Sequence, residues 1–254
     1  MAENKHTLSD LYQMQSLSLD SKISMTRQRI RGWIDEFGED GVYVSFSGGK
    51  DSTVLLDIVR KDYPDIEAVF VNTGLEYPSV RNFALSKENV IELRPEMNFR
   101  DVIIKYGYPI ISKEVSNVVD EARRLKDGKT KTIRMMRLNG ELLDHEGNKS
   151  RFNCEAYKFL LDAPFNISDK CCNIMKKKPF KLYEKRNSKR PIIGQMAEES
   201  RKRTQGWMHS GCNGFNLKRP QSNPMAFWTE QDVLTYIHTY IQTHYCGSIR
   251  SSGC

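Results

Sequence analysis

The hexapeptide Ser47-Gly48-Gly49-Lys50-Asp51-Ser52 limits what this 254-residue chain can fold into more than any other stretch. It follows Val42-Tyr43-Val44-Ser45-Phe46, a short β-rich run. It leads into Asp51 to Arg60, where Val54, Leu55, Ile58 and Val59 share one helical face. Two glycines let the backbone turn sharply and approach an anion without a Cβ in the way. The unpaired N–H groups of the helix start, with the positive end of its dipole, then face whatever enters. Ser47 and Ser52 add hydroxyl donors and Lys50 adds a point charge, so the pattern predicts a phosphate- or sulfate-binding loop between a strand and a helix. It is neither the Walker pattern Gly-x-x-x-x-Gly-Lys-Ser/Thr nor the dinucleotide Gly-x-Gly-x-x-Gly. The blander alternative is a Gly-Gly turn with a helix cap.

The rest of the chain continues the alternation. Leu19 to Phe37 carries Ile23, Ile30, Trp33, Ile34 and Phe37 mostly at helical spacing, and Gly38 supplies the stop. Ile66 to Val71 reads as a buried strand, Ser79 to Lys87 as a helix and Val90 to Leu93 as a third strand. Val115, Val118, Val119, Ala122 and Leu125 mark another amphipathic helix, and Pro191 to Gly194 another short strand. Thr229 caps a last helix bearing Val233, Leu234, Ile237 and Ile241, with Asp232 in the capping-box position. Strands alternating with helices predict an α/β fold, a parallel sheet sandwiched by helices, followed by a C-terminal helical and loop region that contains cysteines. Residues 1–18 are expected as an N-terminal tail, 19–245 as one domain with 127–150 an exposed insertion, and 246–254 as a flexible tail, either natural or truncated. There is no internal repeat.

Composition excludes some classes. Hydrophobic residues at 39% and charged residues at 28% are ordinary globular values. No stretch approaches the ~18 apolar residues of a membrane span, and Met1 to His6 is polar, so a cytoplasmic protein is expected with no membrane partner. The net charge of +7 is unevenly placed: 170–219 holds fourteen Lys and Arg against three Glu, a net +11, leaving −4 elsewhere. That concentration points to an anionic partner, a phosphorylated nucleotide or a nucleic acid, against the plainer reading of a solvated basic face. Six cysteines without a secretory signal should stay reduced, and the adjacent pair Cys171-Cys172 suits metal ligation, redox work or simple free thiols. His145, His209, His238 and His244 have no carboxylate partner in the sequence and are expected to be structural or exposed. Trp207, Phe215, Phe227 and Trp228 are expected in the core rather than stacked on a base.

Several of these residues also resemble a known family. Ser-Gly-Gly-Lys-Asp-Ser resembles the signature of the PP-loop, adenine nucleotide alpha-hydrolase-like group. Val71-Asn72-Thr73-Gly74-Leu75-Glu76-Tyr77-Pro78, then Cys171-Cys172 with Lys177 and Pro179, then Gly194 through Glu199-Ser200 and Arg203, then Pro224 to Val233 are similar, in that order, to segments of the phosphoadenosine phosphosulfate (PAPS) reductase family. The resemblance implies a nucleotide across the carboxyl ends of the strands. Its adenosine would rest near Asn72, Thr73 and Gly74. Its anionic end would meet Ser47, Gly48, Gly49, Lys50, Asp51 and Ser52 on one side and Glu199, Ser200 and Arg203 on the other, with Arg201 and Lys202 able to add charge-assisted bonds. It also implies a [4Fe–4S] cluster, or zinc in its place, on Cys171, Cys172 and a later pair that Ser252-Gly253-Cys254 begins. Either the chain is a truncated member that lost the fourth ligand, or Cys212 completes the site with Cys171, Cys172 and Cys254. Cys154 has no such counterpart.

The chain departs from the family at the Cys-Gly-x-His tail that carries the reductases' nucleophile. Cys246-Gly247 is followed by Ser248-Ile249, so no nucleophile is carried over. The leading expectation is an enzyme of sulfur metabolism acting on an adenylylated sulfate, PAPS or adenylylsulfate, with a thiol reductant as partner and, as in the family, a homodimer. One alternative is an ATP-dependent sulfurtransferase, with Mg²⁺, acting on DNA or RNA through the basic stretch 170–219. The other is a nucleotide-binding family member without catalysis.

Overall fold

A computed structural model describes residues 4–241. These form two compact units, the first taking in 4–72, 76–93 and 180–241, the second 73–75 and 94–179. The first opens with α1 (Leu8–Gln15), α2 (Leu19–Phe37), β1 (Val42–Phe46), α3 (Lys50–Asp62), β2 (Ala68–Val71), α4 (Pro78–Leu85) and β3 (Val90–Leu93). The second contains α5 (Phe99–Tyr106), α6 (Lys113–Arg124) and α7 (Lys129–Asn139). Helix α8 (Lys178–Asn187) leads back to the first unit, which ends with β4 (Arg190–Ile193), α9 (Arg201–Ser210), the two-residue strands β5 (Asn213–Gly214) and β6 (Gln221–Ser222), and α10 (Glu230–Tyr240).

The strands of the first unit make one sheet in the order β3-β2-β1-β4-β6-β5. All neighbours run parallel except β5 against β6. The predicted α/β architecture is therefore observed. Strand β1 is buried on both faces and divides its side chains between them, as a two-residue repeat requires. Val42, Val44 and Phe46 join the large core with Ala68 and Phe70 of β2, while Tyr43 and Val69 point the other way, to Tyr183 of α8. The large core is filled by Ile30, Trp33 and Ile34 of α2 and by Val54, Leu55, Ile58 and Val59 of α3. Each fully buried side chain of this kind contributes roughly 1.5–3 kcal/mol.

The Pro224 to Val233 segment is a brace onto α2. Trp228 is fully buried and its indole N–H donates to Thr26 Oγ1 at 2.9 Å, while that hydroxyl donates to Pro224 O at 3.3 Å. Thr229 and Asp232 form the expected capping box on α10. The buried ammonium of Lys22 donates to Asp232 Oδ2 at 2.7 Å. A segment that resembles the family's pattern thus ties the last helix to α2 in this chain.

Three expectations are corrected. The segment expected to be a tail contains α1, closed by a capping box between Thr7 and Asp10 and anchored by Leu11 in the core. That box has no apolar period ahead of it to announce it. The segment 127–150, expected as an exposed insertion, contains α7, with Leu138 fully buried beside Val118 and Val119 of α6. Its lysines and arginines hide the stripe, because two of them are paired internally: Arg134 Nε donates to Glu121 at 2.7 Å and Arg137 Nη2 to Glu114 at 2.6 Å. The expected single domain 19–245 divides in two. The 246–254 tail lies outside the described residues. No helix among them is long and apolar enough to cross a membrane.

Candidate functional site

In the order of the sheet, β1 has β2 on one side and β4 on the other, so the chain's winding reverses at the β1–β4 pair. Sheets of this kind bind ligands outside the carboxyl ends of the strands at such a reversal. The loop Ser47 to Gly49 leaves β1 at that edge and α3 starts at Lys50. Gly194 leaves β4 at the same edge.

Two glycines are dictated by geometry. Gly48 has φ +75°, and a Cβ there would lie 3.1 Å from both Val80 Cγ1 and Val80 O of α4. A Cβ on Gly194 would lie 2.9 Å from Asp51 O and 3.1 Å from its carbonyl carbon. The first glycine permits the bend, and the second lets β4 press against the first turn of α3.

The hydroxyls latch the loop internally. Ser52 Oγ donates to Gly49 O at 3.0 Å and accepts from Ser47 N at 3.2 Å, and the Ser47 and Ser52 hydroxyls are 3.0 Å apart. Gly49 N donates to Ser47 Oγ at 3.3 Å, and Thr53 Oγ1 donates to Gly49 O at 2.8 Å. Gly49 is the N-cap residue and supplies no side-chain cap. The first-turn amides of α3 thus have neither a side-chain cap there nor, as in any helix, an intrahelical acceptor. A preformed bend with donors pointing outward needs little reorganisation to receive an anion.

Charge around the loop is balanced within the first unit. Lys50 Nζ lies 2.9 Å from Asp51 Oδ1 and 3.4 Å from Glu230 Oε1. Burial works against its charge, but the two carboxylates outweigh burial and hold its pKa above the ordinary lysine value. Arg203 pairs with Glu199, whose other oxygen accepts from Met196 N at 2.8 Å. Burial pushes the Arg203 pKa down, and the charge of Asp51 opposes that. Ser200 caps α9 by accepting from Arg203 N at 3.4 Å. Arg201 and Lys202 are exposed.

The first unit thus holds the six loop residues and, at the start of α9, Glu199, Ser200 and Arg203. Asn72 follows β2 at the same sheet edge, buried, with Nδ2 donating to Glu92 Oε1 at 2.5 Å. Thr73 and Gly74 belong to the second unit, where Thr73 Oγ1 accepts from Leu75 N at 3.3 Å. Glu230 and Gly194's contact with Asp51 carry no signal in the spacing of the sequence, since both depend on distant segments meeting.

The four proposed thiolates are less well placed. Cys171 and Cys172 lie in the second unit, immediately before a π-helical turn at Asn173–Lys177. Burial and then the neighbouring Cys172 raise the Cys171 pKa. Cys212 is packed in the core of the first unit, where burial raises its thiol pKa, a poor setting for a thiolate ligand. Cys254 lies outside the described residues. Among the described residues no group of three or more His, Cys, Asp or Glu is arranged to hold a metal ion. The described residues by themselves do not supply a four-thiolate cluster.

Of the aromatics, Trp207, Phe227 and Trp228 are core residues as expected, and Phe215 packs on Trp33 at 5.1 Å between ring centres. His145 is exposed. His244 lies outside the described residues.

Fold and loop together define an α/β protein with a glycine bend at the winding reversal of a mostly parallel sheet. The family model described as "Phosphoadenosine phosphosulfate reductase domain" matches residues 41–133, a stretch that begins just before β1 and includes the loop. Residues 41–133 are thus similar to the family whose segments the sequence resembles. An uncharacterized protein of Methanocaldococcus jannaschii is 28% identical over 131 residues, 50% of this chain and 32% of its own length. The chain thus spans about a third of that curated relative. The crystal structure of a phosphoadenylyl-sulfate reductase from Candida auris, in a phosphate complex, covers 88% of this chain and 87% of its own, at 14% identity and a TM-score of 0.45.

Proposed function

We propose that the chain is an enzyme that grips an adenine nucleotide by its anionic end in the Ser47–Ser52 loop and acts on an adenylylated sulfate. The observation that supports this most directly is the preformed glycine bend at the winding reversal, within the segment that the PAPS reductase domain model matches. In the reaction a thiolate attacks the sulfur, a new S–S bond forms and the S–O bond to the nucleotide breaks. The electron pair stays on the nucleotide phosphate, which the loop amides, Lys50 and Arg203 then stabilise. A second thiol from the reductant releases sulfite. Lys50 must turn from Asp51 and Glu230 to reach the phosphate, so ligand binding exchanges one set of negative partners for another. Asn72, Thr73 and Gly74 are assigned to the adenosine.

An iron–sulfur cluster would draw on Cys171 and Cys172 together with ligands from outside the described residues. An anaerobic visible spectrum of fresh protein checks it, with a broad iron–sulfur shoulder as the supporting result.

A second reading is favoured by the charge of the second unit, described below: an ATP-dependent sulfurtransferase acting on nucleic acid, with Mg²⁺ and pyrophosphate at the same loop. Calorimetry with PAPS, adenylylsulfate and ATP–Mg²⁺, followed by product assay, separates the readings. Tight sulfonucleotide binding with sulfite release supports the first, and pyrophosphate release from ATP supports the second. Binding of a nucleotide without turnover under reducing conditions leaves a binding protein.

A further inference from the structure

The basic stretch 170–219 does not survive folding as one surface. Within the first unit, Lys189 donates to Glu67 at 2.6 Å, Arg219 pairs with Glu184, and Arg203 with Glu199. The second unit is the basic one. It holds eighteen Lys and Arg against twelve Asp and Glu, a net +6, which leaves +1 of the chain's +7 for everything else.

That unit also displays aromatic rings among its cations. Tyr108 and Phe165 are 48% and 40% exposed and meet edge to face at 5.6 Å between centres. The backbone fixes them: Tyr108 N donates to Asn166 O at 2.8 Å and Ser168 N to Tyr108 O at 3.1 Å. One end of Arg123 is fixed beside them, its guanidinium donating to Ala163 O at 2.6 Å and Phe165 O at 2.9 Å. Two residues away, Tyr106 carries the ammonium groups of Lys105 and Lys170 at 5.4 and 5.3 Å from its ring centre. Asp162 and Asp169 are the acids of the same segment and temper the local field without reversing the unit's sign.

We infer that this patch, Tyr108 and Phe165 with Lys105, Arg123 and Lys170 around them, binds single-stranded nucleic acid. Exposed ring faces stack on unpaired bases of any sequence, while cations held at fixed points take the phosphates between them. A duplex keeps its bases stacked on one another and cannot use the rings. An anionic lipid surface would use the cations but would not need rings held at a fixed angle. The inference does not rest on the sulfonucleotide reading, since the patch lies wholly within the second unit and the loop within the first.

The test is fluorescence anisotropy of the full chain with labelled single strands of about 12 nucleotides, DNA and RNA, at about 50 and 200 mM salt. Tyr108→Ala and Phe165→Ala are each expected to weaken binding about tenfold. Lys105→Gln with Lys170→Gln should flatten the salt slope by about 1.4, at ~0.7 for each phosphate that is no longer neutralised. Lys185→Gln with Arg186→Gln, exposed on α8 in the first unit, should leave binding unchanged. Near-ultraviolet circular dichroism checks folding, and Phe165→Leu, which keeps apolar bulk without a ring, replaces any alanine variant that unfolds. No binding at the lower salt, equal binding of the ring variants, equal binding of duplex, or a preference for anionic vesicles over either strand overturns the proposal.

Discussion

The two units differ in net charge and in how far along the chain their ion pairs reach. In the first, several pairs join distant segments: Lys22 with Asp232, Lys189 with Glu67, Arg219 with Glu184 and Lys50 with Glu230. The parallel sheet imposes this. Its strands are buried on both faces, so charges near it must find partners or remain in water. In the second unit the apolar cluster of Val115, Val118, Val119, Leu138 and Ile167 is smaller, several ion pairs join near neighbours in sequence, such as Lys131 with Asp127 and Lys149 with Glu155, and the net charge is +6. The two proposals follow this contrast, a defined small anion at the first unit's loop and an extended one on the second unit's patch.

Mutations can break that contrast, beginning with the largest effect. Trp228→Ala removes a fully buried ring and the partner of Thr26, so a loss of about 3–5 kcal/mol is expected in urea unfolding. If the two units unfold separately, the loss should fall on the first unit's transition alone. Leu138→Ala should cost about 2–4 kcal/mol, with faster amide exchange confined to 113–139; no change would mean that α7 is not packed. Gly48→Ala should cost about 1–2 kcal/mol, from its positive φ and the crowding by Val80, and should weaken sulfonucleotide binding more than stability. Unaltered affinity in calorimetry would remove the loop from the site.

The smallest effect concerns acid. Burial would raise the Glu67 pKa, but the Lys189 ammonium and the Tyr183 hydroxyl outweigh it and hold it below its ordinary value of 4.5. A carboxylate with a depressed folded pKa contributes stability that is present above the ordinary value and lost as pH falls through the lower one. Glu67→Gln should therefore be less sensitive to acid between about pH 5 and 3, by no more than ~1 kcal/mol since the pair is partly exposed. Thermal melts across that range give the answer, and identical pH profiles would contradict it.

Most of the sheet and its covering helices can be read from the chain. Val42 to Phe46, Val90 to Leu93 and Leu19 to Phe37 appear in the structure at the expected bounds. Helices α5, α8 and α9 have no comparable signal. In α8, Lys178 to Asn187, the charged residues interrupt the apolar period, and only the partners of Glu184 and Tyr183 explain why it folds onto the sheet. Strands β5 and β6 are two residues each and have no periodicity to detect.

What the sequence determined is local: the turn at Gly48, the helix that follows the loop, and the capping box of Thr229 and Asp232. These depend on backbone sterics and on hydrogen bonds between residues a few positions apart. Only the tertiary structure decided that Gly194 would press on Asp51, that Glu230 would reach Lys50, and that the positive charge of 170–219 would be divided between two units. Those outcomes depend on which distant surfaces become neighbours when the core is buried, and residue spacing along the chain carries no record of that.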